Sequence, residues 1–193
     1  MKKLMYLIFA VMILSISGCG YNTMQANEEA VKAAWGDVEA TYQRRSDLIP
    51  NLVEVVKGYA KHEKETLMAV TEARAKVGTM QISKNITDDP RAFTQFQEAQ
   101  SAMSSALSRL MVVVERYPDL KANQNFQDLQ HQLEGTENRI NVARVRYNKA
   151  VETYNTSIRI FPNSITNSLL LHLKLKEAFK AEPGSEKAPQ IKF

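Results

Sequence analysis

Residues 44–74, RRSDLIPNLVEVVKGYAKHEKETLMAVTEAR, lie inside the longest helical pattern of the chain. Stepping alternately four and three residues from Val31 meets Trp35, Val38, Tyr42, Arg45, Ile49, Leu52, Val56, Tyr59, Glu63, Thr66, Val70, Ala73 and Val77. A mostly apolar repeat averaging 3.5 residues places one stripe along a long helix and favours partners crossing at a shallow angle. At 1.5 Å per residue, a helix from Glu28 to Val77 would be about 75 Å long and could bury its stripe only against other long helices. Pro50 falls within the stripe and predicts a kink, or a restart capped by Ser46 or Asp47.

Further segments repeat the pattern. Asp88, Asp89 and Pro90 close a loop over 78–89 and read as a cap with proline in the first turn. The second helix carries Phe93, Phe96, Gln100, Met103, Leu107, Leu110, Val114 and Tyr117, and Pro118 stops it. The third starts at Asn123 and runs through Phe126, Leu129, Leu133, Thr136, Ile140, Ala143, Tyr147, Val151, Tyr154 and Ile158 to Phe161 and Pro162. A shorter fourth helix is expected over Ile165–Lys180, apolar almost all round in its first half. No stretch reads as a strand pair. The expected fold is all-α: a long antiparallel bundle of three long helices plus a shorter C-terminal helix, with coiled-coil-like packing over residues 28–180.

The 193 residues are 24% charged and sparing in glycine, proline and aromatics, as in helical bundles. Acidic and basic residues alternate along the helices with no arginine-rich block, which argues against nucleic acid as a partner.

The amino terminus is the most interpretable stretch. Lys2 and Lys3 precede an unbroken apolar run, Leu4–Leu14, and Ile16, Ser17 and Gly18 lead to the only cysteine, Cys19. The order resembles a bacterial lipoprotein signal peptide (residues 1–18), whose thiol is alkylated by a diacylglyceryl group and whose cleavage falls before Cys19. An uncleaved membrane anchor is the competing reading, but Leu4–Ile16 is shorter than the about 20 residues that span a bilayer. Removing Lys2 and Lys3 takes 25 basic side chains to 23 against 21 acidic ones, a formal charge of +2. Two or three buried acyl chains, at about 0.8 kcal/mol per methylene, hold such a protein on its membrane. Residues 19–27 are then a tether, and no disulfide is available. Gly20 stands where an aspartate would signal inner-membrane retention under the enterobacterial rule, so attachment to the periplasmic side of the outer membrane is expected in a diderm host.

Arg44, Arg45, Asp47, Leu48, Ile49, Pro50 and Asn51, then Tyr59, Ala60, His62 and Glu63, and Ala73 and Arg74, resemble the signature of the LemA family. The second half agrees: Glu115, Arg116, Tyr117, Pro118 and Asp119; Glu137, Asn138, Arg139 and Ile140; Arg144, Tyr147, Asn148, Asn155, Phe161 and Pro162. The resemblance implies a long-helix bundle facing outward from a bacterial membrane, in a family without an established enzymatic activity. Many relatives keep an N-terminal membrane helix, so the lipobox is a departure that changes the anchor.

The polar residues on these helices have two readings. Arg45 on the apolar stripe, and Asn148 and Asn155 one heptad apart and each following a tyrosine, would fix helix register by interhelical bonding. Alternatively Arg45, Arg74, Arg139 and Arg144 would line a groove for an anion such as a peptide carboxylate or lipid head group. His62, His131 and His172 are scattered without ligand spacing, so no metal or other cofactor is expected, and no catalytic motif is present. The favoured expectation is a non-enzymatic, membrane-tethered envelope scaffold with a protein partner and open oligomeric state; the alternative is a module for a small anionic ligand, peptide or lipid. Residues 181–193, with Pro183, Gly184 and Pro189, read as a loose tail.

Overall fold

A computed structural model describes residues 2–80 and 86–180, with residues 4–19 described by their backbone alone. The side chain of Cys19, part of the expected 78–89 loop and the tail 181–193 lie outside the described residues. Among the described residues every regular element is helical.

Helix α1, Lys2–Tyr59, is continuous over 58 residues and carries Pro50 inside it. The expected restart at Ser46 or Asp47 does not occur, and residues 20–27 are helix, with Gly20 and Met24 buried, where a tether was expected. The helix expected to reach Val77 breaks instead at Ala60–Glu63, and α2, Lys64–Met80, folds back along α1. Three hydrogen bonds latch this reversal to the opposite turn: Tyr117 and Arg116 each donate to Glu63 Oε1 at 3.1 Å, and Asn123 donates to the Tyr59 hydroxyl at 3.0 Å. Through the break the buried face shifts by one residue, to Ala60 and Leu67 in place of the expected Tyr59 and Thr66, and rejoins the stripe at Val70 and Val77, a displacement too small for periodicity alone to reveal.

Helix α3, Pro90–Val114, is capped by Asp89 as expected. A short α4, Pro118–Lys121, buries Leu120 and leads to α5, Gln124–Ser157, where the Asn123 side chain accepts the Phe126 N–H. The expected stripes of α3 and α5 are buried from Phe93 to Val114 and, with Leu129 partly buried, from Phe126 to Ile158; the third was expected to reach Phe161, but α5 ends at Ser157 and Phe161 is exposed. Helix α5 runs antiparallel to α1, since Tyr59 meets Asn123 and Trp35 meets Tyr147. Helix α3 runs parallel to α1, from Trp35 against Phe93 to Glu63 against Arg116.

The expected fourth helix over Ile165–Lys180 is the largest departure. After a cis Phe161–Pro162 bond come a single turn α6, Asn163–Thr166, one π turn over Asn167–Leu171, and His172 in the left-handed region at φ 50°. Residues 173–180, the strap, then have no regular secondary structure. Leu171-His172-Leu173-Lys174-Leu175-Lys176 alternates in polarity, a period helices do not use.

The core is in two parts. The part nearest the α1–α2 turn is built from Ile49, Leu52, Val56, Val70, Met103, Leu110, Leu120 and Phe126 and their neighbours on α1, α2, α3 and α5. The other, from Met24, Val31, Val38, Phe93, Phe96, Tyr147 and Tyr154, has the strap and its Phe179 where the first has α2.

Candidate functional site: a clamped strap and a polar layer

Arg45 sits between the two cores, 2% exposed. Its Nη1 donates to Ser104 Oγ at 2.9 Å and Glu137 Oε1 at 2.8 Å; its Nη2 donates to Gln100 Oε1 at 2.6 Å and to the Gln100 carbonyl at 3.3 Å. One guanidinium from α1 thus ties together α3 and α5, as a register-fixing group should. The Tyr42 ring lies 5.1 Å from its carbon. Arg45 and Arg144 border a crevice of about 40 Å³, where the buried Gln100 Nε2 has no protein partner; a space of that size suits a water.

Arg74 is engaged elsewhere. Its Nε donates to the Ser46 carbonyl at 3.1 Å. In an unbroken helix that carbonyl would receive the N–H of residue 50, and proline has none. Arg74 of α2 therefore supplies the donor that Pro50 removes, which accounts for α1 continuing through the proline. Arg139 borders a shallow surface groove with Asp37, Val142 and Arg146. The four arginines singled out from the sequence are thus dispersed: Arg45 and Arg144 share the crevice, while Arg74 and Arg139 face other surroundings.

The asparagines act on the strap rather than between helices. Asn148 donates through Nδ2 to the Phe179 carbonyl at 3.0 Å and accepts the Phe179 N–H at 2.9 Å. Asn155 makes the same pair with Lys176, both at 3.0 Å, and Asn167 with Leu173 at 3.2 and 2.8 Å. The spacings match: seven residues of α5 rise about 10.5 Å, and three residues of extended chain about 9–10 Å. Tyr154 and Tyr147 donate to the carbonyls of Lys174 and Glu177 at 3.0 and 2.8 Å. On the strap's other edge the Glu177 N–H reaches the Thr87 carbonyl.

Side chains complete the seal. Phe179 stacks with Trp35 at 6.2 Å and meets Phe93 and Tyr147 at 5.0 and 5.5 Å, with Arg144 4.7 Å above it. Lys176 is buried and paired with Asp88 and Glu28. Burial pushes the Tyr154 phenol up to about 12, and the Asp88 and Glu28 charges add to it; Tyr147 is raised further by the same chief cause. Beside Lys176 an open cleft of about 590 Å³ is lined by Glu28, Asp88, Asp89, Tyr154, His172 and Lys174.

Sequence reasoning singled out Asn148 and Asn155 and missed their partner. The signal was available: a tyrosine–asparagine pair repeated after seven residues, with a polarity alternation downstream.

A profile of the LemA family matches residues 34–193. The chain belongs to the LemA family. It is 26% identical over 182 residues to the magnetosome protein MamQ 2 of Paramagnetospirillum magneticum, a match covering 86% of this chain and 66% of that one. It is 23% identical over 176 residues to Protein LemA of Metamycoplasma hominis, covering 89% and 76% respectively. The chain therefore spans just under two thirds of the length of MamQ 2. The residues on which the sequence resembles the LemA family include the joints described above: Arg45 in the polar layer, Pro50 with Arg74, Glu63 with Arg116 and Tyr117, and Asn148 and Asn155 on the strap.

Proposed function

We propose that this LemA-family chain is a non-enzymatic scaffold of the bacterial cell envelope, held to a membrane by acyl chains on Cys19 and presenting its helical faces to a protein partner. The observation that supports the scaffold reading is the engagement of the family's polar residues. Each of those joints holds one element to another, and they do not converge on a cleft where a substrate could meet several at once. Among the described residues no three of His, Cys, Asp and Glu are grouped to hold a metal, and no helix is long and apolar enough to cross a membrane.

The anchor reading rests on the lysine pair, the apolar run and the small residues before Cys19. With Gly20 and Met24 already packed, the acylated residue would adjoin the bundle directly. Attachment to the periplasmic side of the outer membrane follows from Gly20 if the host is diderm.

Intact mass measurement of the chain from its own host tests the anchor. The expected mass is that of residues 19–193 plus two or three acyl chains, with C19A left unprocessed and unacylated; a full-length, unmodified chain overturns the proposal. Crosslinking in intact cells is expected to capture one envelope protein reproducibly, and capture of none at any exposed face removes the partner.

A further inference from the structure

Where α5 ends, exposed large apolar side chains are more closely spaced in sequence than elsewhere among the described residues: Phe161 is 79% exposed, Leu169 70% and Leu170 65%, with Ile160 and Ile165 about half exposed. A scattered exposed leucine is ordinary, but five exposed large apolar side chains within eleven residues are a concentration that calls for a partner. Residues 153–176 contain no Asp or Glu, and Arg159 is exposed beside the apolar residues, while His172 and Lys174 border the cleft that also holds Glu28, Asp88 and Asp89. Residues 20–27 contain no acid either.

Position supplies the occupant. A Cβ built on Gly20 would lie 2.1 Å from Asn163 Oδ1, so α6 is pressed against α1 one residue beyond Cys19. Asn163 is flanked in sequence by Phe161 and Ile165. The exposed apolar residues therefore belong to the same end of the molecule as Gly20, one residue from Cys19.

We propose that this end is a lipid-facing foot, with Phe161, Ile165, Leu169 and Leu170 inserting into the headgroup and acyl boundary of a bilayer while Arg159 meets its phosphates. The foot gives the protein a second attachment beside its acyl chains, and two contacts fix the inclination of the rod where one leaves it to swivel. The inference rests on the membrane-tethered reading above.

The test uses the full acylated chain, reconstituted into phosphatidylethanolamine–phosphatidylglycerol vesicles containing lipids brominated just below the glycerol. F161W is the reporter, V145W on the exposed face of α5 is the control, and the native Trp35 signal is subtracted using the unsubstituted chain. Interfacial helices sit about 5–10 Å deep, so F161W emission should fall at least about twofold while V145W is unchanged. L170W serves as a second reporter if F161W does not fold. A chain that floats with the vesicles but shows no quenching at either position overturns the foot alone. A chain that does not float overturns the tether and the foot with it. Emission that changes only with protein density in the membrane assigns the patch to a second copy, and also overturns the proposal.

Discussion

Pro50 and Arg74 show how two residues far apart in sequence become one structural unit. A proline inside a helix costs about 3 kcal/mol or more, in part through the carbonyl it leaves without a donor. Here that carbonyl is on Ser46, which is buried, and Arg74 Nε reaches it at 3.1 Å. R74A on the native background is expected to cost about 1–3 kcal/mol, the penalty of an unsatisfied buried acceptor. On a P50A background, where the backbone N–H is restored, the same substitution should cost at least about 1 kcal/mol less. Urea denaturation of the four chains measures the coupling, and additive effects would remove Arg74 from this role. The sequence placed Pro50 on the stripe and Arg74 among the signature residues. It could not pair them, because the pairing exists only once α2 has reversed direction, and an apolar stripe displaced by one residue at a turn still reads as one helix. Arg45 was more legible: a charged residue on an otherwise apolar stripe must find partners across the seam.

The strap is the element least visible beforehand and most constrained afterwards. Local composition favoured a helix over Ile165–Lys180, with five leucines and no proline. What prevailed was tertiary: three asparagine amides that each pair with the N–H and the C=O of one strap residue, and a place for Phe179 among Trp35, Phe93 and Tyr147. Tyr147 and Tyr154 make the strap sensitive to alkali. Both phenols are raised by burial, Tyr154 to about 12, against about 10 in an unfolded chain. Their contribution is complete below pH 10, where both states are protonated, and is lost as pH rises through the folded-state value, since the unfolded chain then releases protons that the native one retains. Each ionisation also removes the proton donated to a strap carbonyl. The urea midpoint of the native protein should therefore fall steeply between about pH 10 and 12, and that of Y147F/Y154F less so. Equal slopes would mean that neither phenol reports on the strap. The helices flanking it needed no such context, because α3 and α5 bury the stripes and use the caps their sequences display.

Across the whole molecule, the bundle has two hydrophobic compartments separated by one charged layer, with α2 completing the first and the strap the second. An all-helical fold was legible because a 3.5-residue period sustained over long segments admits little else. The division was not, since it depends on where the first long pattern turns back. From Gly20 to Tyr59 the rod measures about 60 Å along α1, so its distal turn stands well clear of the end that carries Cys19. A groove of about 770 Å³, with Val53, Leu67 and Met68 between Lys57, Lys61 and Lys64, lies near that turn.

Gly20 bears on how the protein's destination can be studied. Retargeting a lipoprotein by writing aspartate after its cysteine assumes that this residue serves only as an address. Here the hydrogen of Gly20 fits against Asn163, whose amide is itself committed to the Ser157 carbonyl at 2.9 Å. G20D should lower thermal stability, which circular dichroism of the purified variant would register, besides any change in sorting on the proposed lipid anchor; an unchanged melting temperature would show that α6 can move aside. A mislocalised G20D chain would otherwise be mistaken for a redirected one when it is in part a loosened one.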